Sequence, residues 1–401
     1  MNSFATSTLT RETEVQTKLD SQTRLIPTYV VATVFASLCI AVGLLWDISW
    51  HMSIGRDGLL SPPHLAIYLG AVIAGTFSGF NVLRTSFWGS PTEKAKKIKF
   101  WGIFYASLGA MFCIWGAFAM LTSAPFDDWW HNTYGLDVMI LSPPHAVLGL
   151  GMITVQFGAL TAVMALQNRY KDRSEPKLQN SLRWLYALSS GFLLVMVYTM
   201  VSEYFFTSWM HNVLMYKIAM GVFPLFMVAI SYASPWKWGA TWMAVIYSMV
   251  MAAMVWILPL FPAEPLLSPV YNPITNFQPY HFPILLIVPA LVIDLLVAKW
   301  KHRNKWFLAV VLSVGFLLVF FPAQWLMGDF LLTEPAKGWF FGRYSLPYFV
   351  DPAGRFRFEF PAHMVTQGWD LAKGLGIAAV IGILSCRLGL SWGNWMSQVK
   401  R

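Results

Sequence analysis

Long apolar stretches separated by short polar connections dominate the chain from residue 26 onward. Runs of about 18 residues or more are long enough to cross a hydrocarbon core of ~30 Å as helices. They recur near 26–48, 62–83, 100–122, 143–166, 183–204, 211–232, 237–261, 282–299, 306–327 and 373–391. The pattern predicts an all-α, polytopic transmembrane helix bundle of about ten spans with both termini cytoplasmic. Trp and Tyr gather at the ends of the runs, as interfacial anchors do. Residues 1–25 are polar and mixed in charge, too polar for a signal peptide, and read as a cytosolic arm. Residues 26–175 form a four-span unit. Residues 176–401 form a six-span unit with a long extracytoplasmic loop near 328–372.

Composition agrees with a bilayer environment. Of 401 residues, 57% are hydrophobic and 12% charged, and the mean hydropathy is +0.54. Soluble domains carry about 25% charged residues. The net charge of +9 does not point to nucleic acid, because Lys and Arg sit in short loops between apolar runs. Cys39, Cys113 and Cys386 lie inside those runs without CxxC spacing and read as core residues.

Loop charge sets the orientation. Arg84, Lys94, Lys96, Lys97 and Lys99 follow the second run, and Arg169, Lys171, Arg173, Lys177 and Arg183 follow the fourth. Lys299, Lys301, Arg303 and Lys305 follow the eighth. All share one side with the termini, which the positive-inside rule assigns to the cytoplasm. Seven of the eight histidines, all but His302, then fall on the other, extracytoplasmic side.

Two segments 80 residues apart repeat one another. Asp47-Ile-Ser-Trp50-His51-Met-Ser-Ile-Gly55-Arg-Asp57 leads to Leu60-Ser-Pro-Pro-His64. Asp127-Asp-Trp-Trp130-His131-Asn-Thr-Tyr-Gly135-Leu-Asp137 leads to Leu141-Ser-Pro-Pro-His145, with one extra residue in the connection. Asp47 and His51, four apart, share a helix face. A turn at Gly55 follows, Ser61 is placed to cap the returning helix, and Pro62 suits its first position. His64 then falls in the first turn of that helix, so two imidazoles and a carboxylate converge. Asp127, His131 and His145 repeat this arrangement.

Such a donor set suits copper, zinc or iron, and lacks the oxygen count that calcium or magnesium needs. Asp57, Asp137 and the Trp50 and Trp130 indoles are candidates for orienting the ligands. A plain hydrogen bond between Asp47 and His51 at a good helix terminus is the structural alternative. The cost of ionisable groups at membrane depth, about 2.5–3.5 kcal/mol each, favours function.

The Asp-x3-His-x12-His spacing of Asp47, His51 and His64, with Arg56-Asp57 and a Pro before the last His, resembles the C subunit of particulate methane and ammonia monooxygenases. In that family the set binds copper within the membrane. Asp127, His131 and His145 keep the spacing of the family's second set, with Asp in place of Asn. The likeness covers residues 40–155. It implies a copper-dependent oxidoreductase, a monooxygenase component acting with dioxygen on a small apolar substrate. Catalysis would fall at Asp47, His51 and His64, within a multi-subunit complex. The family's C subunit is shorter and works with A and B subunits, and nothing here resembles the B subunit's soluble copper domains.

The second half carries fainter signals. Pro279-Tyr-His281 and Pro361-Ala-His363 echo the Pro-x-His ending of the motifs, and Glu203 with Trp209-Met-His211 resembles a decayed Asp–Trp–His element. Glu203, His211, His281 and His363 are weak candidates for a third polar cluster. Asp294, deep in the eighth run, suggests either a proton or ion route or a structural hydrogen bond. The aromatic, arginine-rich loop 328–372 reads as a cap over the outer face.

No flavin, haem or iron–sulfur motif is present, so a redox enzyme here needs an external electron donor and partner subunits. The competing readings are a zinc-dependent membrane hydrolase, with an open coordination position to activate water, and a non-catalytic metal-binding or assembly subunit.

Overall fold

The computed structural model describes residues 26–135, 142–354 and 358–401. The arm 1–25, Asp137 and residues 355–357 lie outside them. Eleven α-helices and one two-stranded hairpin make up the described chain. In order they are α1 (Thr28–Ser53), α2 (Pro62–Trp88), the short α3 (Pro91–Ala95), β1 (Ile98–Phe100), β2 (Phe104–Ala106), α4 (Leu108–Tyr134), α5 (Pro143–Arg169), α6 (Pro176–Val201), α7 (Val213–Ala233), α8 (Gly239–Ile257), α9 (Ile287–Trp300), α10 (Lys305–Leu331) and α11 (Gly368–Met396). Nine of these, all except α3 and α9, are long and apolar enough to cross a membrane. The all-α polytopic bundle is therefore observed.

Two of the expected spans differ in form. Residues 98–106 are not the start of a helix but a hairpin, turned at Trp101 and Gly102, both with positive φ. Helix α4 starts only where Ser107 caps the Ala110 amide at 3.3 Å. The expected span 282–299 is a 14-residue helix, α9, about 21 Å long and short of the ~30 Å core. Uniform hydropathy hides the reason. Pro279 and Pro283 have no N–H to give to a helix, so residues 278–286 form no helix before α9. In lipid such backbone must be satisfied by protein. Gln324 of α10 does this, its Oε1 accepting the Leu285 amide at 2.9 Å.

Helices α4 and α5 meet through small residues. A methyl group on Gly116 would stand 2.7 Å from the Gly151 carbonyl, and one on Gly109 would stand 2.6 Å from the Gly158 carbonyl. Such small faces let membrane helices pack backbone to backbone, where burial of apolar surface alone gives no preference over lipid. A buried cluster of Ile40, Ile67, Ala71, Ala117, Met120 and Met152 joins α1, α2, α4 and α5. Cys113 and Cys386 are buried and Cys39 half-buried, all unbridged, as expected of core thiols.

The basic connections gather together. Arg169 donates to the Lys400 carbonyl at 2.8 Å, and Asn168 to those of Met396 and Val399. Burial, followed by the nearby Arg169 charge, pushes Lys97 down to about 8. Lys301 is lowered by burial and by the charges of Lys305 and Lys171.

Asp294 has a structural role. Its Oδ1 accepts from Ser231 Oγ at 2.6 Å and the Ala240 amide at 3.1 Å. Its Oδ2 accepts from the Thr241 amide and hydroxyl, both at 2.7 Å. The carboxylate thus caps the first turn of α8 from another helix, where orphan amides and the helix dipole both favour an anion. Four hydrogen bonds occupy it, which accounts for its burial without a transport route.

Candidate metal centres

The first motif folds as its spacing predicts, with one addition. Helix α1 runs on to Ser53, which carries Asp47 and His51 on its final turns. The chain reverses through Gly55, whose φ of +86° is the left-handed region that favours glycine. Trp50 Nε1 donates to the Arg56 carbonyl at 3.0 Å, so the indole closes this turn rather than orienting an imidazole. Pro62 takes the first helical position of α2, but the Ser61 hydroxyl makes no cap bond. In the second copy Ser142 does cap, accepting from the His145 amide at 3.4 Å.

His64 Nε2 lies 3.3 Å from Asp47 Oδ1 and 3.3 Å from Asp57 Oδ2. His51 Nε2 lies 3.5 Å from Asp57 Oδ2 and 3.9 Å from Asp47 Oδ2. Asp57, expected in a supporting role, therefore stands among the ligand atoms. Asp47, Asp57 and His64 form the tightest group, while His51 sits at the rim with 49% of its side chain exposed. In the second copy His131 and His145 bring Nε2 to 3.5 and 3.3 Å from the same oxygen, Asp127 Oδ1. Asp137, the counterpart of Asp57, lies outside the described residues.

The other ring nitrogens determine what these distances mean. His51 Nδ1 faces the Gly55 carbonyl at 3.3 Å, His64 Nδ1 faces Gly58 at 3.0 Å and His131 Nδ1 faces Gly135 at 3.2 Å. A carbonyl only accepts, so each Nδ1 carries a proton and Nε2 is the nitrogen turned toward the carboxylates. Opposite a carboxylate oxygen, such an Nε2 is matched either by a second proton, as an imidazolium, or by a bound cation. Asp47 Oδ1 and Asp127 Oδ1 are buried with no hydrogen-bond partner among the described residues. Tetrahedral ligands bound at about 2.0–2.1 Å lie roughly 3.3 Å from one another. Good charge-assisted N–H···O bonds are shorter, about 2.7–2.9 Å. Asp47, Asp57 and His64, and likewise Asp127, His131 and His145, offer ligand atoms close enough together to hold one metal ion.

One cavity of about 1680 Å³ contains both groups in its wall. Glu203 and His281 also line it, together with Tyr68, Leu150, Met200 and the segment 341–351. That segment belongs to the aromatic loop 328–372 and forms part of the cavity wall. The Tyr348 amide donates to the Met52 carbonyl at 3.2 Å, and Gly55 packs so closely on Tyr348 that a Cβ would stand 2.3 Å from its hydroxyl. Gln278 joins this segment to the motif helix. Its carbonyl accepts from Ser49 Oγ at 2.7 Å, its amide donates to Ser53 Oγ at 2.7 Å, and its Oε1 accepts the Leu346 amide at 2.9 Å.

The four weak candidates do not form one cluster. His281 packs against Phe206 and Tyr280, and burial, helped by the Arg343 guanidinium, pushes it down to about 4. His211 is elsewhere, stacked between Trp325 and Phe360 with ring centroids 3.9 Å away on each side. Its Nε2 lies 3.2 Å from Asp329 Oδ1. His363 is exposed on a single turn, Ala362–Met364. Trp325, Phe360 and Asp329 come from distant parts of the chain, so no local spacing announces the His211 sandwich.

No protein-family model matches this chain, and neither the curated proteins nor the solved structures include a significant match to it.

Proposed function

We propose that this chain is a membrane-embedded, copper-binding subunit of a monooxygenase-like oxidoreductase that acts with dioxygen on a small apolar substrate. The observation that supports it most is the approach of imidazole Nε2 atoms to buried carboxylate oxygens at ligand-to-ligand distance, twice, in the wall of one cavity. Asp47, His51, Asp57 and His64 hold the first ion, and Asp127, His131 and His145 the second. Copper supplies one-electron chemistry with dioxygen when bound. The chain itself fixes His51, His64 and His131 through backbone carbonyls, buries one oxygen each of Asp47 and Asp127, and gives an apolar molecule room beside them. Electrons come from an external donor, and partner subunits complete the complex. On the positive-inside argument the sites face the extracytoplasmic side of the cytoplasmic membrane.

The second carboxylate, Asp57, favours a second reading. Two oxygens with two nitrogens make a harder donor set that zinc or iron also accepts, and zinc would make the site hydrolytic.

Metal analysis of the purified protein tests both. The copper reading expects close to two copper ions per chain, one lost in His64→Ala and the other in His145→Ala. Zinc in their place transfers the proposal to the hydrolase. Under about a tenth of an equivalent of any transition metal in protein prepared without chelator ends both.

A further inference from the structure

The two copies of the motif differ one helical turn beyond their last histidine. Four residues after His64 stands Tyr68, and four after His145 stands Gly149. The Tyr68 ring lies 6.0 Å from the His64 ring and fills part of the cavity wall. Gly149 fills nothing, and its reason is not packing. A Cβ on Gly151 or Gly158, in the same helix, would meet backbone of α4 within 3.0 Å. Among the described residues, a Cβ on Gly149 would meet only Met200 Sδ, at 3.9 Å, an ordinary van der Waals contact with room to spare.

The neighbours of this gap face two ways. Leu150 of α5 is 67% exposed and Met200 of α6 is 41% exposed, yet both also line the cavity that contains the two ligand groups. Both belong to helices long and apolar enough to cross the bilayer. Leu150 stands seven residues into α5, about 10 Å along its axis. At the motif end, segment 341–351 covers the cavity.

We infer that the gap between α5 and α6, framed by Gly149, Leu150 and Met200, is a lateral portal through which an apolar molecule dissolved in the bilayer enters the cavity. It rests on the reading of the cavity as the site for an apolar substrate, and it specifies that substrate's class: a lipid-soluble, uncharged molecule delivered from the membrane interior rather than from water. The absent side chain at Gly149 is the opening, Met200 is the flexible thioether that yields to a passing molecule, and Tyr68 is the far wall that stops it beside His64.

The test is photolabelling of the full chain in phosphatidylcholine vesicles with a long-chain alkyl diazirine, with sites mapped by mass spectrometry. Wild type is expected to carry label on Tyr68 and on Met152, a cavity-wall residue only 2% exposed. Gly149→Trp and Met200→Trp, on opposite sides of the gap, should each reduce that label at least tenfold. Gly149→Ala should reduce it less than twofold. Label on the outward-facing Phe80 and Leu318 should be unchanged in every variant, which shows that the bundle is intact. An unlabelled cavity in wild type, or equal cavity labelling in both Trp variants, overturns the portal. The assay needs no metal, so a labelled and blockable cavity in a metal-free protein keeps the portal while refuting the oxidoreductase.

Discussion

Asp57 Oδ2 stands 3.3 Å from His64 Nε2, the same distance at which Asp47 Oδ1 approaches that nitrogen. One imidazole is thus flanked by two carboxylates, one from the end of α1 and one from the turn that follows it. Asp57→Asn should accordingly weaken metal binding at the first group by about 10–100-fold, the range for close support of a metal site or more. The second group should keep its ion. Equilibrium dialysis against a competing chelator reads the two affinities, and an unaltered first-site affinity would return Asp57 to a bystander role.

Asp294 offers a test of structure against transport. Replacing it with Ala strands the amides of Ala240 and Thr241 and two hydroxyls. The expected loss of stability is about 2–4 kcal/mol, from unmade hydrogen bonds at membrane depth. Asp294→Asn retains an acceptor and should lose about half as much. Denaturation in mixed micelles measures this, with metal content per folded chain unchanged. Full stability in Asp294→Ala would contradict the capping role.

Gln324 serves the irregular stretch before α9 in the same way. Gln324→Leu leaves the Leu285 amide without its acceptor, for a cost of about 1–3 kcal/mol. Faster hydrogen exchange at residues 284–286, with little change in α4 or α5, is the local signature. Unchanged exchange there would mean that another group satisfies the amide.

His281 predicts a pH dependence of definite sign. Burial and Arg343 lower its folded value to about 4, below the ordinary 6.5, so the unfolded chain binds the proton first. The neutral ring's contribution to stability is complete above pH 6.5 and declines as pH falls towards 4, at up to about 1.4 kcal/mol per pH unit. His281→Phe should flatten that part of the stability curve. A wild-type curve with no slope between pH 6.5 and 4 would disprove the assignment.

Much of this was legible in the sequence because the signals are local. The repeat at 47–64 and 127–145 fixes its own geometry through a helix end, a glycine turn and a Pro-Pro start, so the convergence of Asp47 with His64 follows from spacing. Asp57 was harder to place, because its reach depends on the path of the Gly55 turn rather than on helical periodicity. The broken span before α9 was masked by hydropathy, which does not register that Pro279 and Pro283 lack an N–H. Asp294 and His211 depend on partners 53 and 114 residues away, and their neighbours in sequence carry no sign of them.

The bridge at Gln278 also has a meaning in time. The ligands of the first group lie between residues 47 and 64, whereas Leu346, which Gln278 ties above them, is synthesised about 300 residues later. At about 5–20 residues per second that interval is roughly 15–60 s. Through it the nascent chain carries its imidazoles and carboxylates without a lid. The cavity wall around these ligands is therefore completed only late in synthesis, and a truncated message would yield ligands without it.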